Sequence, residues 1–421
     1  MSREMKNSGI PWIGEIPENW ALEKTKRIFK GNKRIVGDRV DEFERLALTM
    51  QGVIRRNKED NEGLQPEKFD SYQILKKNEL VFKLIDLQNE KTSRVGLSPF
   101  DGIVSPAYII ISNDSPDNRY YYYWFFDMYN RLVFNRMGDD GVRSSLNMDD
   151  VLSIPTPAIS LKEQVTIADF LDKKCSEIDS MISLQEKIIE ELKAYKQAII
   201  LETVTKGLNP DAPMKESGID WVGIIPVSWD VMAFRRLFAI KKVIAGEEGW
   251  DVLSVTQQGL KVKDLSSNEG QMADDYSNYQ RVQPGDFVMN HMDLLTGWID
   301  ISKFSGVTSP DYRVFQIRDN SVSRGYFLYI FQACYKGKIF YHLGQGVSGQ
   351  GRWRLPAKQM LLFKLPVPSI EEQNAIVEFL DAKTFEIDSL ISLKKAKIES
   401  LKEYKKSIIY EYVTGKKIVN A

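Results

Sequence analysis

Apolar residues recur in steps of three and four along two long stretches of the chain. The first row is Ala168, Leu171, Cys175, Ile178, Ile182, Gln185, Ile189, Leu192, Lys196 and Ile199. The second is Val377, Leu380, Thr384, Ile387, Ile391, Lys394, Ile398, Leu401, Lys405 and Ile408. Such spacing, kept up for more than three heptads, predicts a helical coiled-coil seam. Each helix, at 1.5 Å per residue, would run roughly 65 Å. Pro155–Pro157 and Pro366–Pro368 mark the helix entrances, because proline belongs outside a helix or in its first turn. Gly207 and Gly415 suit the stops. In the seam, Cys175 reads as a small buried filler, and Lys196 and Lys405 as packed stems with solvated ammonium groups.

A second apolar stripe follows each helix: Ile167, Phe170, Met181, Leu184, Ile188 and Tyr195, then Ile376, Phe379, Leu390, Leu393 and Tyr404. A helix pair needs only one seam. The second stripe therefore faces either the protein's own globular regions or helices of a partner. Outside the helices the pattern changes to short apolar runs. Leu80–Lys83, Asp286–Met289, Tyr108–Ile111 and Tyr312–Ile317 read as buried strands, two of them behind turn signals at Lys77-Asn78 and Pro284-Gly285. Arg119–Phe134 and Arg324–Tyr335 are aromatic-rich and long enough for helices, with the Tyr120–Phe126 run read as core.

Self-comparison organises these elements. Residues 5–20 match 214–229 at ten of sixteen positions, and 163–205 match 372–414 at 25 of 43, both at a shift of 209. The chain is a duplication. Between the matched segments similarity shrinks to islands and the offset drifts, as in Ser105-Pro106-Ala107-Tyr108 against Ser309-Pro310-Asp311-Tyr312 at a shift of 204. Two copies keep one frame while their middle regions diverge, as if each had its own target.

Composition narrows the function. The chain has 421 residues, enough for two or three domains. No window approaches eighteen uninterrupted apolar residues, so no spanning helix is expected. The N-terminus MSREMKNSGIPW lacks the apolar core of a signal peptide, and a cytoplasmic protein is expected. Two cysteines cannot make a disulfide framework or a cysteine-rich zinc site, and two histidines leave few candidates for an imidazole base. With a net charge of -1, a nucleic-acid binder must gather its basic residues on one face.

Catalytic motifs are missing. Gly344-Gln345-Gly346-Val347-Ser348-Gly349 spells G-x-G-x-x-G, but the residues after it, through Pro356, open a helix poorly, and the first copy lacks the pattern. The chain has no G-x-x-x-x-G-K-[ST], H-E-x-x-H, C-x-x-C or G-x-S-x-G, and no Pro-Pro for an aminomethylating motif. What remains is a glycine-bearing loop near the end of each globule, Gly138–Leu146 and Gly344–Leu355. Arg, Ser and Gln on such loops suit phosphate contacts and base-edge reading. The DNA-contact candidates are Arg143 and Ser144 in the first loop, Gln350, Arg352 and Arg354 in the second, and Lys83, Arg94, Lys303 and Arg313 near the paired strands.

The layout resembles the DNA-specificity subunits of Type I restriction-modification enzymes. The carriers are the doubled Ser-Gly-Ile-x-Trp-x-Gly-x-Ile-Pro-x-x-Trp box at 8–20 and 217–229, the Ser-Pro-x-Tyr island, and the doubled helix at 170–205 and 379–414. The resemblance implies an α+β protein with a pseudo-two-fold repeat, in which two mixed α/β target-recognition domains are held apart by two long helices in an antiparallel coiled coil. The expected parts are a repeat box at 1–20, recognition domains at 21–157 and 230–368, helices at 158–207 and 369–415, and a linker with the second box at 208–229. It further implies double-stranded DNA with a bipartite site, two methyltransferase subunits and two restriction/translocase subunits as partners. No cofactor is implied for this chain; S-adenosylmethionine, ATP and Mg2+ belong to the partners. Candidate partner contacts are Ile167, Phe170, Leu184, Ile376, Phe379 and Leu393. Two other readings compete: a duplicated enzyme using Gly344–Gly349 as a cofactor loop, and a coiled-coil scaffold carrying two protein- or glycan-binding heads.

Overall fold

A computed structural model describes residues 3–49, 51–57, 68–85, 87, 94–137, 145–266, 273–318, 321–346 and 353–419. The chain divides into two compact units, Met1–Glu186 with Lys395–Ala421, and Lys187–Lys394. Each unit holds one globule and parts of both long helices.

The long helices span Leu161–Lys206 and Ile370–Val413. Ser160 and Ser369 stand just before them, each Oγ accepting from the amide three residues on, Glu163 at 3.3 Å and Glu372 at 3.2 Å. Those bonds satisfy amides that lack a partner inside the helix. The proline segments lie further out than expected and do more than mark an entrance. Pro155–Ala158 pairs antiparallel with Ala21–Lys24, and Lys364–Val367 with Asp230–Ala233. Gly207 and Gly415 end the helices with φ of +78° and +71°, where a side chain would be strained. Each also packs against a repeat-box tryptophan, Gly207 on Trp229 and Gly415 on Trp20, so a Cβ there would collide.

The expected seam residues line the buried face. In the first unit Leu171, Cys175 and Ile178 share one core with Leu401, Ile408, Ile409 and Val413. In the second, Leu380 lies in the core and Val377 packs on it, but the core also takes Ile376 of the other stripe and Ile200 and Val204, outside both expected rows, while Ile199 is half-buried. Lys405 Nζ reaches Asp179 at 2.7 Å in the first unit, and Lys196 reaches Asp388 at 2.7 Å in the second. The seam lysines are thus ion-paired as well as stem-packed. Half-exposed pairs of this kind add little stability, but a polar seam position penalises slipped registers.

The second stripe splits along its length. Ile167 and Ile376 are buried in the cores of their own globules, which takes both off the list of partner contacts. Phe170 and Phe379 are half-buried on the same cores, Phe170 with its ring 4.2 Å from that of Tyr412. Leu184 and Leu393 are 54% and 66% exposed.

The two globules have one sheet plan. In the first, one four-stranded sheet runs in the order 52–56, 45–49, 102–104, 73–75, and the other 30–32, 109–112, 80–82, 95–97. In the second the corresponding orders are 259–262, 252–256, 306–308, 280–282 and 238–241, 313–317, 287–289, 299–301. Each plan contains one parallel pair, Ile103 opposite Arg45 and Val307 opposite Val252. The aromatic segments form helices at Arg119–Asn130 and Arg324–Lys336, with Tyr120, Tyr121, Tyr123, Trp124 and Phe125 buried. Each repeat box is a small hairpin, Met5–Asn7 with Glu15–Pro17 and Met214–Glu216 with Ile224–Pro226.

Equivalent side chains lock both copies. Trp20 Nε1 donates to Glu163 at 3.2 Å and Trp229 Nε1 to Glu372 at 2.9 Å. Tyr120 Oη donates to the carbonyl of Val413 at 2.8 Å and Tyr326 Oη to that of Val204 at 3.0 Å. The Ser-Pro-x-Tyr islands are part of this frame. The buried amide of Gln73 donates to the carbonyls of Ser105, Pro106 and Tyr108, and that of Gln280 to Ser309 and Tyr312. A buried amide with two or three carbonyl partners fixes the chain that supplies them.

Candidate nucleic-acid interface

In each globule a tight foot holds the loop that the sequence singles out. In the first, the Leu146 amide donates to the Leu84 carbonyl at 2.9 Å, and Asn147 and Asp150 exchange hydrogen bonds in a capping box that opens the short helix Met148–Leu152. Residues 138–144, and with them Arg143 and Ser144, lie outside the described residues.

In the second, the Leu355 amide donates to the His291 carbonyl at 2.9 Å. Gln345 and Arg354 exchange two backbone hydrogen bonds, at 2.9 and 3.1 Å, closing the loop at its base. Trp353 Nε1 donates to the Tyr341 carbonyl at 2.6 Å, and its indole packs against Gly344, where a Cβ would overlap the ring. The first glycine of G-x-G-x-x-G therefore serves a tryptophan and not a pyrophosphate. Gln350 and Arg352 lie outside the described residues.

The remaining candidates fall in different places. Arg94 is buried, with its guanidinium 5.9 Å from the ring centre of Tyr129, so it belongs to the first core and not to a DNA-facing surface. Lys83 is half-buried on the neighbouring strand and bonds to Arg94 through its backbone amide. Lys303 is exposed on the turn after Ile299–Ile301. Arg354 is exposed.

Arg313 is 8% exposed, and among the described residues its guanidinium bonds to neutral atoms, Met360 Sδ at 3.1 Å and the Leu355 carbonyl at 3.2 Å. Burial brings its pKa down to about 10, so it still carries its charge at neutral pH. Beside it, burial and the charges of Arg313 and Arg354 push the His291 pKa down to about 4, leaving a neutral imidazole. His291 Nδ1 is buried with no hydrogen-bond partner among the described residues. In the sequence His291 stands out only as one of two histidines. Matching the feet of the two loops was the signal that would have joined it to Arg313 and Arg354.

No group of three or more His, Cys, Asp or Glu side chains that could hold a metal occurs among the described residues. Both cysteines are buried, and burial raises their thiol pKa values, Cys175 to about 11. A buried protonated thiol is a poor nucleophile. No helix among the described residues is long and apolar enough to cross a membrane.

The family described as Type I restriction modification DNA specificity domain matches the chain over residues 17–194 and again over 262–403. The chain belongs to that family. As a specificity subunit it supplies DNA target recognition to a Type I restriction-modification system and is not its catalytic component. Among curated relatives it is similar to the putative type I restriction enzyme MjaX specificity subunit of Methanocaldococcus jannaschii, 24% identical, with 96% of this chain and 95% of that protein covered. It is also similar to the type I restriction enzyme MjaVIII specificity subunit of the same organism, 27% identical over 63% of this chain and 62% of that one. Two solved structures share the fold of this chain. One is a chain from work on complex assembly and conformational transition of the type I R-M system, with a TM-score of 0.69, 13% identity and 96% and 99% coverage. The other is the HsdS subunit from Thermoanaerobacter tengcongensis, with a TM-score of 0.51, 14% identity and 96% and 98% coverage.

Proposed function

We propose that each globule of this specificity subunit reads one half of a bipartite double-stranded DNA site, and that the long helices set the gap between the halves. The observation that carries this reading is one frame bearing two unlike faces. The sheet order, the tryptophan–glutamate lock and the glutamine under the Ser-Pro-x-Tyr island recur in both copies. The loops at equivalent positions do not. A fold under one structural demand but two recognition demands diverges in this way.

The helices are proposed to run as one antiparallel coiled coil. The seam pairs support it: Lys405 with Asp179 and Lys196 with Asp388 are related by the 209-residue shift and obey one antiparallel register. Methyltransferase subunits, two per complex, would bring S-adenosylmethionine, and two restriction/translocase subunits would bring ATP and Mg2+. Of the six candidate partner contacts, Leu184 and Leu393 are the exposed ones, in an open part of the stripe that also holds Met181, Tyr195, Leu390 and Tyr404, and large exposed apolar side chains at equivalent places on two helices suit a two-fold partner pair. Leu184→Glu with Leu393→Glu should reduce co-purification of the methyltransferase subunit, while unaltered assembly would remove both residues from that interface.

Module exchange tests the main reading. Residues 25–154 would be replaced by the equivalent stretch of another family member, leaving the strands Ala21–Lys24 and Pro155–Ala158 in place. Methylated sites in a host carrying the hybrid and its methyltransferase should keep one half-site and change the other. A hybrid that alters both halves together would refute the two-module reading. Duplex binding that weakens steeply with salt, with the site preferred over unrelated DNA, separates this function from a protein- or glycan-binding scaffold.

A further inference from the structure

The first globule builds the same frame with no buried guanidinium where the second has Arg313. Its equivalent is identified by register: Ile109 pairs with Phe82 as Arg313 pairs with Met289. Leu84 accepts from Leu146 as His291 accepts from Leu355, so His291 stands where the first globule has Leu84. Ser145 precedes Leu146 as Arg354 precedes Leu355. Val151 accepts from Ile154 as Met360 accepts from Phe363. One frame thus holds Leu84, Ile109, Ser145 and Val151 in the first copy, and His291, Arg313, Arg354 and Met360 in the second. An aliphatic side chain fills the position where the second copy buries a charge.

Among the described residues that charge has no counter-ion. Arg313 donates to a thioether and a carbonyl only, and neither Arg313 nor Arg354 makes an ion pair among the described residues. The stretch Val347–Arg352, in the loop closed by Gln345 and Arg354, contains no carboxylate in its sequence. The nearby Asp293 is occupied by the amides of Leu295 and Thr296 and the Thr296 hydroxyl. Burying an uncompensated cation costs stability, and such perturbed charged groups cluster at functional sites, where an external anion can offset the cost.

We propose that Arg313 and Arg354, with His291 beside them, form a cationic pocket of the second recognition domain that receives a phosphodiester of the DNA backbone. The inference rests on the reading of this globule as a DNA-recognition domain and adds a contact that the first globule does not make. Exposed Arg354 touches the phosphate, and buried Arg313 acts from behind it by fixing the Leu355 carbonyl and adding charge. His291 stays neutral and does not compete with the arginines for position. A phosphate contact fixes register and adds affinity without reading a base.

The test installs the first copy's residues in the second: Arg354→Ser and Arg313→Ile, each assembled with its methyltransferase on duplexes carrying the site found by methylation mapping. Affinity is measured between 50 and 200 mM salt. Arg354→Ser should flatten the slope of log K against log salt by about one and weaken binding at 50 mM roughly tenfold, and Arg313→Ile, which touches no phosphate, should do both to a smaller degree. The methylated sequence should not change. Thermal melting of the Arg313→Ile chain should match or exceed the parent, because the same frame accepts Ile109 there. Unchanged slopes in both variants would overturn the proposal. So would a lowered melting temperature for Arg313→Ile with an unaltered slope for Arg354→Ser, which would mark Arg313 as structural. If the unsubstituted complex shows no preference for its site, the DNA-reading function fails, independently of the pocket.

Discussion

Replacing Trp229 by alanine should cost the second unit about 3–5 kcal/mol, the range for deleting a large buried aromatic. Against a typical 5–15 kcal/mol for a folded domain, that is about a fifth of the total or more. Trp229 is fully buried, lies edge-on to Tyr326 with ring centres 6.4 Å apart, and packs against Gly207 at the end of the first long helix. Its indole N–H also serves Glu372 at the start of the second. Alanine leaves a cavity and removes the donor from that carboxylate at once. Denaturant titration of the full chain should show the second unit unfolding at markedly lower concentration, with the first little changed. A loss below about 1 kcal/mol would show that the cavity collapses and the joint does not depend on the indole.

One heptad added to each long helix should lengthen the unspecified gap by about three base pairs. Seven residues advance a helix by about 10 Å, and B-DNA rises about 3.4 Å per pair. The insertions belong between Lys187 and Ile188 and between Ala396 and Lys397, positions related by the 209-residue shift and midway in sequence between the two ion-paired seam residues of each helix. Seven is the right number because the seam repeats every heptad, so Lys196 and Asp388 would keep facing each other, as would Lys405 and Asp179. Sequencing of methylated sites should return both half-sites unaltered and further apart. An active variant with its original gap would show that something other than helix length measures the spacing.

Much of this molecule was legible because duplication supplies its own control. The helix seams could be read from 3-4 spacing, and the chain stops at Gly207 and Gly415 match the left-handed conformations found there. The aromatic run Tyr120–Phe126 was legible as core because its counterpart is apolar too. The prolines were misleading in one respect. Pro155 and Pro157 sit in a two-stranded pairing with Ala21–Lys24, a contact across more than 130 residues that no local pattern announces. Arg94 and Arg313 were harder still, since residue type favours exposure for arginine and both are buried. Ile167 and Phe170 share one helical stripe with Leu184, yet the globule covers the start of that stripe and leaves its later part open. Periodicity gives the direction in which a side chain points but not how far along the helix its neighbour extends.

The division of the chain also sets a schedule for its synthesis. The second unit is one continuous segment, Lys187–Lys394, whereas the first is closed by Lys395–Ala421. Leu401, Ile408, Ile409 and Val413 belong to the core that also holds Trp20 and Tyr120. At about 5–20 residues per second, a ribosome needs roughly 10–40 s to pass from the end of one part of the first unit to the start of the other. The first globule to be made is therefore the last to be finished. Through that interval its apolar helix seam waits uncovered, and by the end of it the globule made second has every residue of its core. A truncated product lacking its final turns of helix would thus lose the N-terminal globule, the half of the molecule farthest in sequence from the break.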